Sequence, residues 1–130
     1  MYYWAIVHHD EGSAFGVSFP DAPDCFAAAD EEADTMANAI AALDDYFEDH
    51  RAHPAASSLE DVRRRYAQDL AEGAYLIQVP FIPRKTKSVR VNVSLEQGLL
   101  EAIDEAAKRA DLNRSSFLAH AARREIAGDA

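Results

Sequence analysis

The feature that most constrains the fold of this chain is a strict alternation of apolar and polar side chains over residues 88–93. In a β-strand, such an alternation places the apolar residues on one face and the polar residues on the other. The apolar set is Val89, Val91 and Val93, and the polar set is Ser88, Arg90 and Asn92. Because one isolated strand leaves its backbone hydrogen-bonding groups unpaired, this segment requires a partner strand.

Two predicted helices follow the alternating segment. Ser94 and Gln97 have the spacing of a capping box, and an interruption at 111–114 is followed by Ser115 as a second predicted cap. Apolar residues recur every three or four positions, at Leu95, Leu99, Ile103, Ala106, Ala107 and Ala110, and then at Phe117, Leu118, Ala121, Ala122 and Ile126. A chain of about 40 residues normally needs a further source of stability, so we expect this unit to form a homodimer, with higher oligomers left open.

Antiparallel pairing of the two copies of this strand would create an exposed ribbon of polar side chains. A two-stranded ribbon fits the major groove of DNA. Arginine can bond O6 and N7 of guanine, asparagine can bond N6 and N7 of adenine, and serine can donate or accept. We therefore interpret Ser88, Arg90 and Asn92 as readers of base edges rather than as an ordinary exposed strand face.

The same region, from residue 87 to about residue 127, resembles the ribbon-helix-helix DNA-binding proteins. The resemblance rests on Ser88-Val89-Arg90-Val91-Asn92-Val93-Ser94 and on Asn113-Arg114-Ser115-Ser116-Phe117-Leu118. It implies base contacts from the polar strand residues, and a DNA phosphate held at the start of the second helix by Ser115 and Ser116 with Arg114 nearby, since a helix N-terminus binds anions. Lys87 belongs to the basic flank of the ribbon. Where the family usually has glycine between the helices, Asp111 or Asn113 would have to adopt a left-handed conformation.

The first part of the chain has the pattern of a small sheet with one or two helices. Apolar and aromatic runs at 2–8 and 15–19 predict a β-hairpin, and residues 25–29 give a weaker third strand. The later elements are an amphipathic helix from Glu31 to about His50, a second helix from about Leu59 to Glu72 with Ser57 or Ser58 as its cap and Gly73 as its stop, and a strand at 75–80. This β-β-β-α-(α)-β order predicts an α+β fold.

Pro80 and Pro83, followed by the basic residues Arg84, Lys85 and Lys87, indicate a linker. We therefore predict two domains, 1–83 and 84–130. The first has 4 Lys/Arg and 16 Asp/Glu (−12) and the second has 9 and 7 (+2), which sum to the net charge of −10. Because acidic surface repels phosphate, nucleic acid contacts should be confined to the second domain.

No apolar run approaches the roughly 18 to 20 residues of a membrane span, and the N-terminus lacks the basic start of a secretion signal. We therefore expect a cytoplasmic protein without membrane contact. The single cysteine, Cys25, cannot form an internal disulfide, so stability must come from packed cores.

The first domain resembles the HicB antitoxins. The matching residues are Phe19-Pro20-Asp21-Ala22-Pro23-Asp24-Cys25-Phe26, the acidic run 30–33, Asn38-Ala39, Ala42-Leu43, Tyr46-Phe47 and Leu76-Ile77-Gln78-Val79-Pro80. The resemblance implies a partial ribonuclease H-like fold without catalytic carboxylates, which binds and neutralises a HicA-type mRNA interferase, while the second domain binds operator DNA and represses their operon. An RNA-cleaving toxin should be basic, and an acidic domain would attract it. We predict that Asp44, Asp45 and Asp49 contribute to toxin binding.

Other chemistry is disfavoured by the positions of the residues that could perform it. A magnesium nuclease could use Asp10, Asp21, Asp24 and Asp30, but these lie at predicted turns and a helix start. His8 and His9 would point to opposite faces of a strand, so with His50 and His53 they predict no metal site. Cys25 has no base placed beside it. Aromatic residues at 2–4 and 15 favour a core over a base-stacking platform.

We therefore expect no enzymatic activity, no cofactor and no metal. The leading alternative to an antitoxin is an orphan ribbon-helix-helix transcriptional regulator, whose acidic domain would bind a different protein or a small molecule.

Overall fold

The computed structural model describes residues 1–50, 52–84 and 87–128, which belong to two compact units, Met1–Pro83 and Arg84–Ala130. Lys85 and Thr86 of the predicted linker lie outside the described residues. Across the described ranges, no helix is both long enough and apolar enough to cross a bilayer.

The first unit contains one antiparallel sheet of four strands in the order β3-β2-β1-β4. The strands are β1 (Tyr2–His9), β2 (Phe15–Phe19), β3 (Ala22–Ala29) and β4 (Tyr75–Pro80). The helices are a 3-10 turn (Glu32–Asp34), α1 (Thr35–Glu48), α2 (Leu59–Arg65) and α3 (Ala67–Ala71). This confirms the α+β class. The ribonuclease H-like relationship that the resemblance implies stays a prediction.

Two elements of this unit differ from the sequence prediction. β3 begins at Ala22 rather than at Cys25, because Phe19 pairs with Ala22 and the connecting turn uses only Pro20 and Asp21. The single predicted helix at 59–72 is divided into α2 and α3 at Tyr66, whose φ of −115° and ψ of 27° depart from helical geometry. Ser58 is the cap of α2, since its side chain accepts a hydrogen bond from the Asp61 N–H.

The main core lies between α1 and one face of the sheet. Ala39, Leu43 and Phe47 recur every four residues and share the buried side of α1. The sheet and its flanks contribute Tyr3, Ala5, Val7, Val17, Phe19, Ala22, Cys25, Val79 and Phe81. The buried ring of Tyr3 contacts Phe47, and its hydroxyl donates to the Pro54 carbonyl at 2.7 Å, which satisfies the phenol inside the core.

The opposite face of the sheet is covered unevenly. Ile6 points away from the main core, yet it is fully buried, as is Val62 of α2. His8, on the same face as Ile6, lies 4.0 Å from Asp69 of α3, so α2 and α3 pack over this side of β1. Farther across the sheet, Ser18 pairs with Ile6 and Phe26 pairs with Ser18, so both lie on this same face. They remain accessible: Ser18 is half-buried and Phe26 is exposed.

The second unit contains two helices, α4 (Gln97–Arg109) and α5 (Arg114–Ala127). Residues 87–96 have no regular secondary structure in the single chain, so the strand predicted over 88–93 is not formed there; a strand needs the ladder partner that the sequence analysis assigned to a second copy. The predicted Ser94 capping box is also wrong. α4 begins after Glu96, which makes no side-chain cap bond.

Candidate binding surfaces

The segment 87–93 is exposed along its whole length, on its apolar side as well as on its polar side. Val89, Val91 and Val93 are 77%, 73% and 66% exposed. The residues interpreted as base readers and their basic neighbour are also exposed, namely Lys87, Ser88, Arg90 and Asn92. Three large aliphatic side chains in a row are costly to leave in water, so this segment has the character of an interface rather than of a solvated loop.

The corner between α4 and α5 places the start of α5 in the open. Asp111 has a φ of 56°, the left-handed conformation that was predicted for a residue of this turn. The Leu112 N–H donates to the Ala107 carbonyl at 2.8 Å, which closes the end of α4. The chain therefore reverses within a few residues, without glycine.

Asn113, and not Ser115, caps α5. Its Oδ1 accepts from the Ser116 N–H at 2.8 Å, and its extended backbone ends the turn. Asparagine is as good a cap as serine, so the helix begins before Ser115 rather than after it. Ser115 and Ser116 consequently lie inside the first turn of the helix and are both exposed. The Ser116 N–H is occupied by the cap, which leaves the Ser115 backbone and both hydroxyls as groups that could face an anion.

Arg114 is engaged by an acid of the preceding helix. Its Nε and Nη2 donate to the two carboxylate oxygens of Asp104, at 2.9 and 2.8 Å. This fork geometry is strong for an arginine–carboxylate pair, and its hydrogen bonds hold the pKa of Asp104 below its usual value while raising that of Arg114. The guanidinium is therefore positioned beside the α5 N-terminus with its charge already balanced.

The acids predicted to contact a toxin lie on the second half of α1. Asp45 and Asp49 are exposed, whereas Asp44 is half-buried and has a partner of its own. Burial, together with the negative charge of Asp45, raises the pKa of the Cys25 thiol to about 11. Asp45 of α1 is therefore close enough to Cys25 of β3 to act on its thiol electrostatically.

Several residues that were considered for nuclease, metal-binding or nucleophilic roles have contacts that stabilise the fold. Asp21 accepts from the N–H and hydroxyl of Ser57 at 2.9 and 2.6 Å, so it anchors the 52–58 connection. His9 stacks on Phe15, and His53 packs edge-on against Phe47. Within the described ranges, no group of three or more His, Cys, Asp or Glu side chains is arranged to hold a metal ion. Cys25 is buried and free.

Two surface residues were missed from the sequence. Phe26 is 69% exposed on β3, although its motif position beside Cys25 suggested nothing about which of the two points inward. Nothing in the sequence distinguishes Asp104 from the other acids of α4. The register of β3 would have shown that Phe26 faces solvent. The pairing of Asp104 with Arg114 depends on the tight corner between α4 and α5, which the sequence does not show.

Comparison with known proteins settles the family. A family model described as the HicB-like antitoxin of bacterial toxin-antitoxin systems matches residues 3–122, which span both units. The chain belongs to the HicB-like antitoxin family. No curated protein sequence matches this HicB-like chain.

Solved structures agree with the family assignment. The HicB antitoxin of Burkholderia pseudomallei is 26% identical, with a TM-score of 0.52, over 97% of this chain and 96% of that one. The antitoxin HicB3 is 35% identical, with a TM-score of 0.50, over 97% of this chain and 98% of that one. The N-terminal domain of the B. pseudomallei HicB, at 25% identity and a TM-score of 0.51, covers 62% of this HicB-like chain and 96% of its own length.

Proposed function

We propose that this HicB-like chain neutralises a HicA-type mRNA interferase through residues 1–83, and that residues 84–130 form a dimer that binds operator DNA and represses the operon. The observation that carries the proposal is the family match over residues 3–122, which includes both the acidic unit and the basic segment. An antitoxin needs a toxin partner, and the mRNA interferase class comes from the resemblance to HicB proteins.

The charge of the first unit supports the toxin-binding half. Its 4 basic and 16 acidic residues give a net charge of −12. A protein that cleaves RNA must bind phosphates, so its active surface should be basic and attracted to this unit at long range. Asp45 and Asp49, exposed near the end of α1, are the side chains we assign to this steering.

The exposed valines support the dimer. Two copies that pair antiparallel through 88–93 would bring both sets of three valines onto the inner face of the ribbon. Burial of a valine side chain contributes about 1.5 to 3 kcal/mol, so six of them are a substantial driving force. The rest of the second unit offers further apolar side chains that are exposed in the single chain, namely Leu95, Leu99, Leu112 and Ile126.

The polar face of the same ribbon supports the DNA-binding half. Arg90 and Asn92 would contact base edges, and Ser88 would add a hydrogen bond to a base. Lys87 would contact the phosphate backbone of the DNA. Ser115 and Ser116 lie in the first turn of α5, where a phosphate would meet the Ser115 N–H, the two serine hydroxyls and the helix dipole. Arg114 contributes there once it exchanges Asp104 for a phosphate.

We assign the chain no catalytic role. The acids that a nuclease would need are dispersed, and Asp21 is already bound to Ser57. Blocking a toxin and occupying an operator both require only complementary surfaces, so neither half calls for a cofactor.

The decisive experiment measures both activities of the full chain. We expect a small basic protein to be encoded beside its gene. The full chain should co-purify with that protein, abolish its RNA cleavage, and bind its own upstream DNA above a scrambled control with a steep salt dependence. The double variant R90A/N92A should retain toxin binding and lose specific DNA binding. DNA binding without any toxin partner would favour the orphan regulator, and a chain that cleaves RNA itself would overturn the proposal.

A further inference from the structure

β3 is an edge strand with an uncovered aromatic ring at its centre. Phe26 points to the side of the sheet opposite the main core, whereas the preceding residue, Cys25, points into that core and is buried. The other edge strand, β4, exposes only Gln78. The two edges therefore differ, because one offers an apolar side chain to solvent and the other does not.

Small side chains surround the Phe26 ring. Ser18 faces Phe26 across the ladder, and Gly16 faces Ala28. Packing of α2 and α3 over β1 buries Ile6 of the same face, but leaves Ser18 and Gly16 only half-buried. The ring is therefore accessible to a partner, since only small side chains lie opposite it on the neighbouring strand.

The backbone of β3 is open beside this ring. Asn38 Nδ2 donates to the Ala28 carbonyl at 2.9 Å, so this carbonyl points away from β2. In an antiparallel ladder, both hydrogen-bonding groups of a residue point the same way, and the direction repeats every second residue. The N–H and C=O of Phe26 therefore also point outward, since the irregularity of the β2–β3 ladder begins only beyond Phe26, towards Ala22. The edge is capped by α1 at Ala28 and open at Phe26, where another chain could pair with it.

Negative charge lies on either side of the open edge. Asp24 is exposed on β3, two residues before Phe26, and Asp45 of α1 lies near Cys25 on the other side of the strand. A second copy of this chain at the edge would bring these acids against their own counterparts within a unit of net charge −12. A basic partner would instead neutralise them.

We propose that the outer edge of β3, with Phe26 as its apolar anchor and Asp24 and Asp45 as its flanking charges, is the surface on which the basic toxin docks. This rests on the toxin-binding function proposed above and specifies where that binding occurs. Aromatic residues, phenylalanine among them, are enriched at protein interfaces, and a few buried side chains there carry most of the binding energy.

The test uses full-length variants and the toxin separated from its complex with the wild-type chain. F26S should weaken toxin binding at least tenfold, and D24K should also weaken it. Their controls are Y2S, which removes another exposed ring of the first unit, and Q78K, which places a lysine on the opposite edge strand. Both controls should bind as the wild type does, and all four variants should keep its melting temperature and its DNA affinity.

Hydrogen exchange provides a second readout that does not depend on substitution. In the complex, amides of 22–29 should exchange more slowly than in the free chain, while those of 75–80 should not change. Wild-type binding that survives F26S and D24K, or protection confined to 75–80, overturns the β3 edge. A change in oligomeric state of the free chain with F26S would overturn it as well, because the occupant would then be a second copy. If the wild-type chain binds no toxin at all, it is the proposed function that fails.

Discussion

The guanidinium of Arg114 holds both carboxylate oxygens of Asp104, across the corner that joins α4 to α5. The pair fixes an arginine next to a helix N-terminus proposed to receive a DNA phosphate. If DNA binds as proposed, Asp104 would compete with a DNA phosphate for the Arg114 guanidinium.

Removing this competitor should strengthen DNA binding without regard to sequence. In D104N, Arg114 becomes available to phosphate, and we expect higher affinity for operator and scrambled DNA alike, with a salt slope steeper by about one per added phosphate contact. The control is E105Q, which removes the same charge from the neighbouring residue, whose partner is Arg109. Equal behaviour of the two variants would show that only net charge matters.

Arg90 should contribute to specificity. R90A should cost about 1 to 3 kcal/mol at the operator and relax the choice of a single base pair, as expected for loss of a bidentate contact. Competition binding against operators substituted one pair at a time measures this directly. R123A, on α5, provides the comparison. If R90A weakens the affinity for operator and scrambled DNA equally, Arg90 contacts only phosphate and does not read a base.

The roles of the two faces of segment 88–93 can be distinguished by adding one negative charge to each face in turn. V91D would place a carboxylate inside the proposed dimer, so we expect a monomer by sedimentation velocity and no operator binding. N92D introduces the same charge one residue later on the opposite face, and should leave the dimer intact while weakening DNA binding. A dimer that persists in V91D contradicts pairing through this segment.

Charge reversal on α1 should slow the capture of toxin. The double variant D45K/D49K should lower the association rate at low salt, with a smaller effect at high salt, and leave DNA binding unchanged. E60K/E72K makes the same change in charge away from α1. Stopped-flow association across a salt series distinguishes the two. A rate that does not respond to D45K/D49K at any salt concentration contradicts steering by α1.

Cys25 should make stability depend on pH in the alkaline range. Its pKa rises from 9.0 to about 11 in the folded chain, first because the thiol is buried and second because Asp45 is near. The folded state therefore favours the neutral thiol, so this contribution is complete below the unfolded value and is lost as the pH rises from 9.0 towards 11. Urea unfolding of wild type and C25A across this interval should show a steeper decline for the wild type, and parallel curves would contradict the shift.

Much of the fold could be predicted because periodicity reports burial directly. The stripe at Ala39, Leu43 and Phe47 is the face of α1 that packs on the sheet, and the run at 75–80 is β4. Boundaries were harder. Ser94 and Asn113 both have side chains that suit a helix cap. Asn113 caps α5, whereas α4 begins only after Glu96, and this difference depends on the backbone conformation before each helix.

The surfaces were less predictable than the core. Alternation at 88–93 identified residues that need a partner strand, but a single chain cannot form a strand that depends on a second copy. For Phe26, sequence alone does not say which of two adjacent apolar residues on an edge strand faces the core, since both fit a β pattern. The Asp104–Arg114 pair joins residues ten positions apart across a turn, where helix spacing rules do not apply.

The pairing of Tyr2 with Pro80, and the hydrogen bond of 2.7 Å from the Phe81 N–H to the Met1 carbonyl, bring the beginning and the end of the first unit to the same corner of the sheet. A module whose entry and exit points adjoin can be spliced into another protein, or permuted at one of its distant loops, with little strain on its fold. The unit proposed above to bind the toxin should therefore keep its own fold when it is inserted between the domains of an unrelated protein.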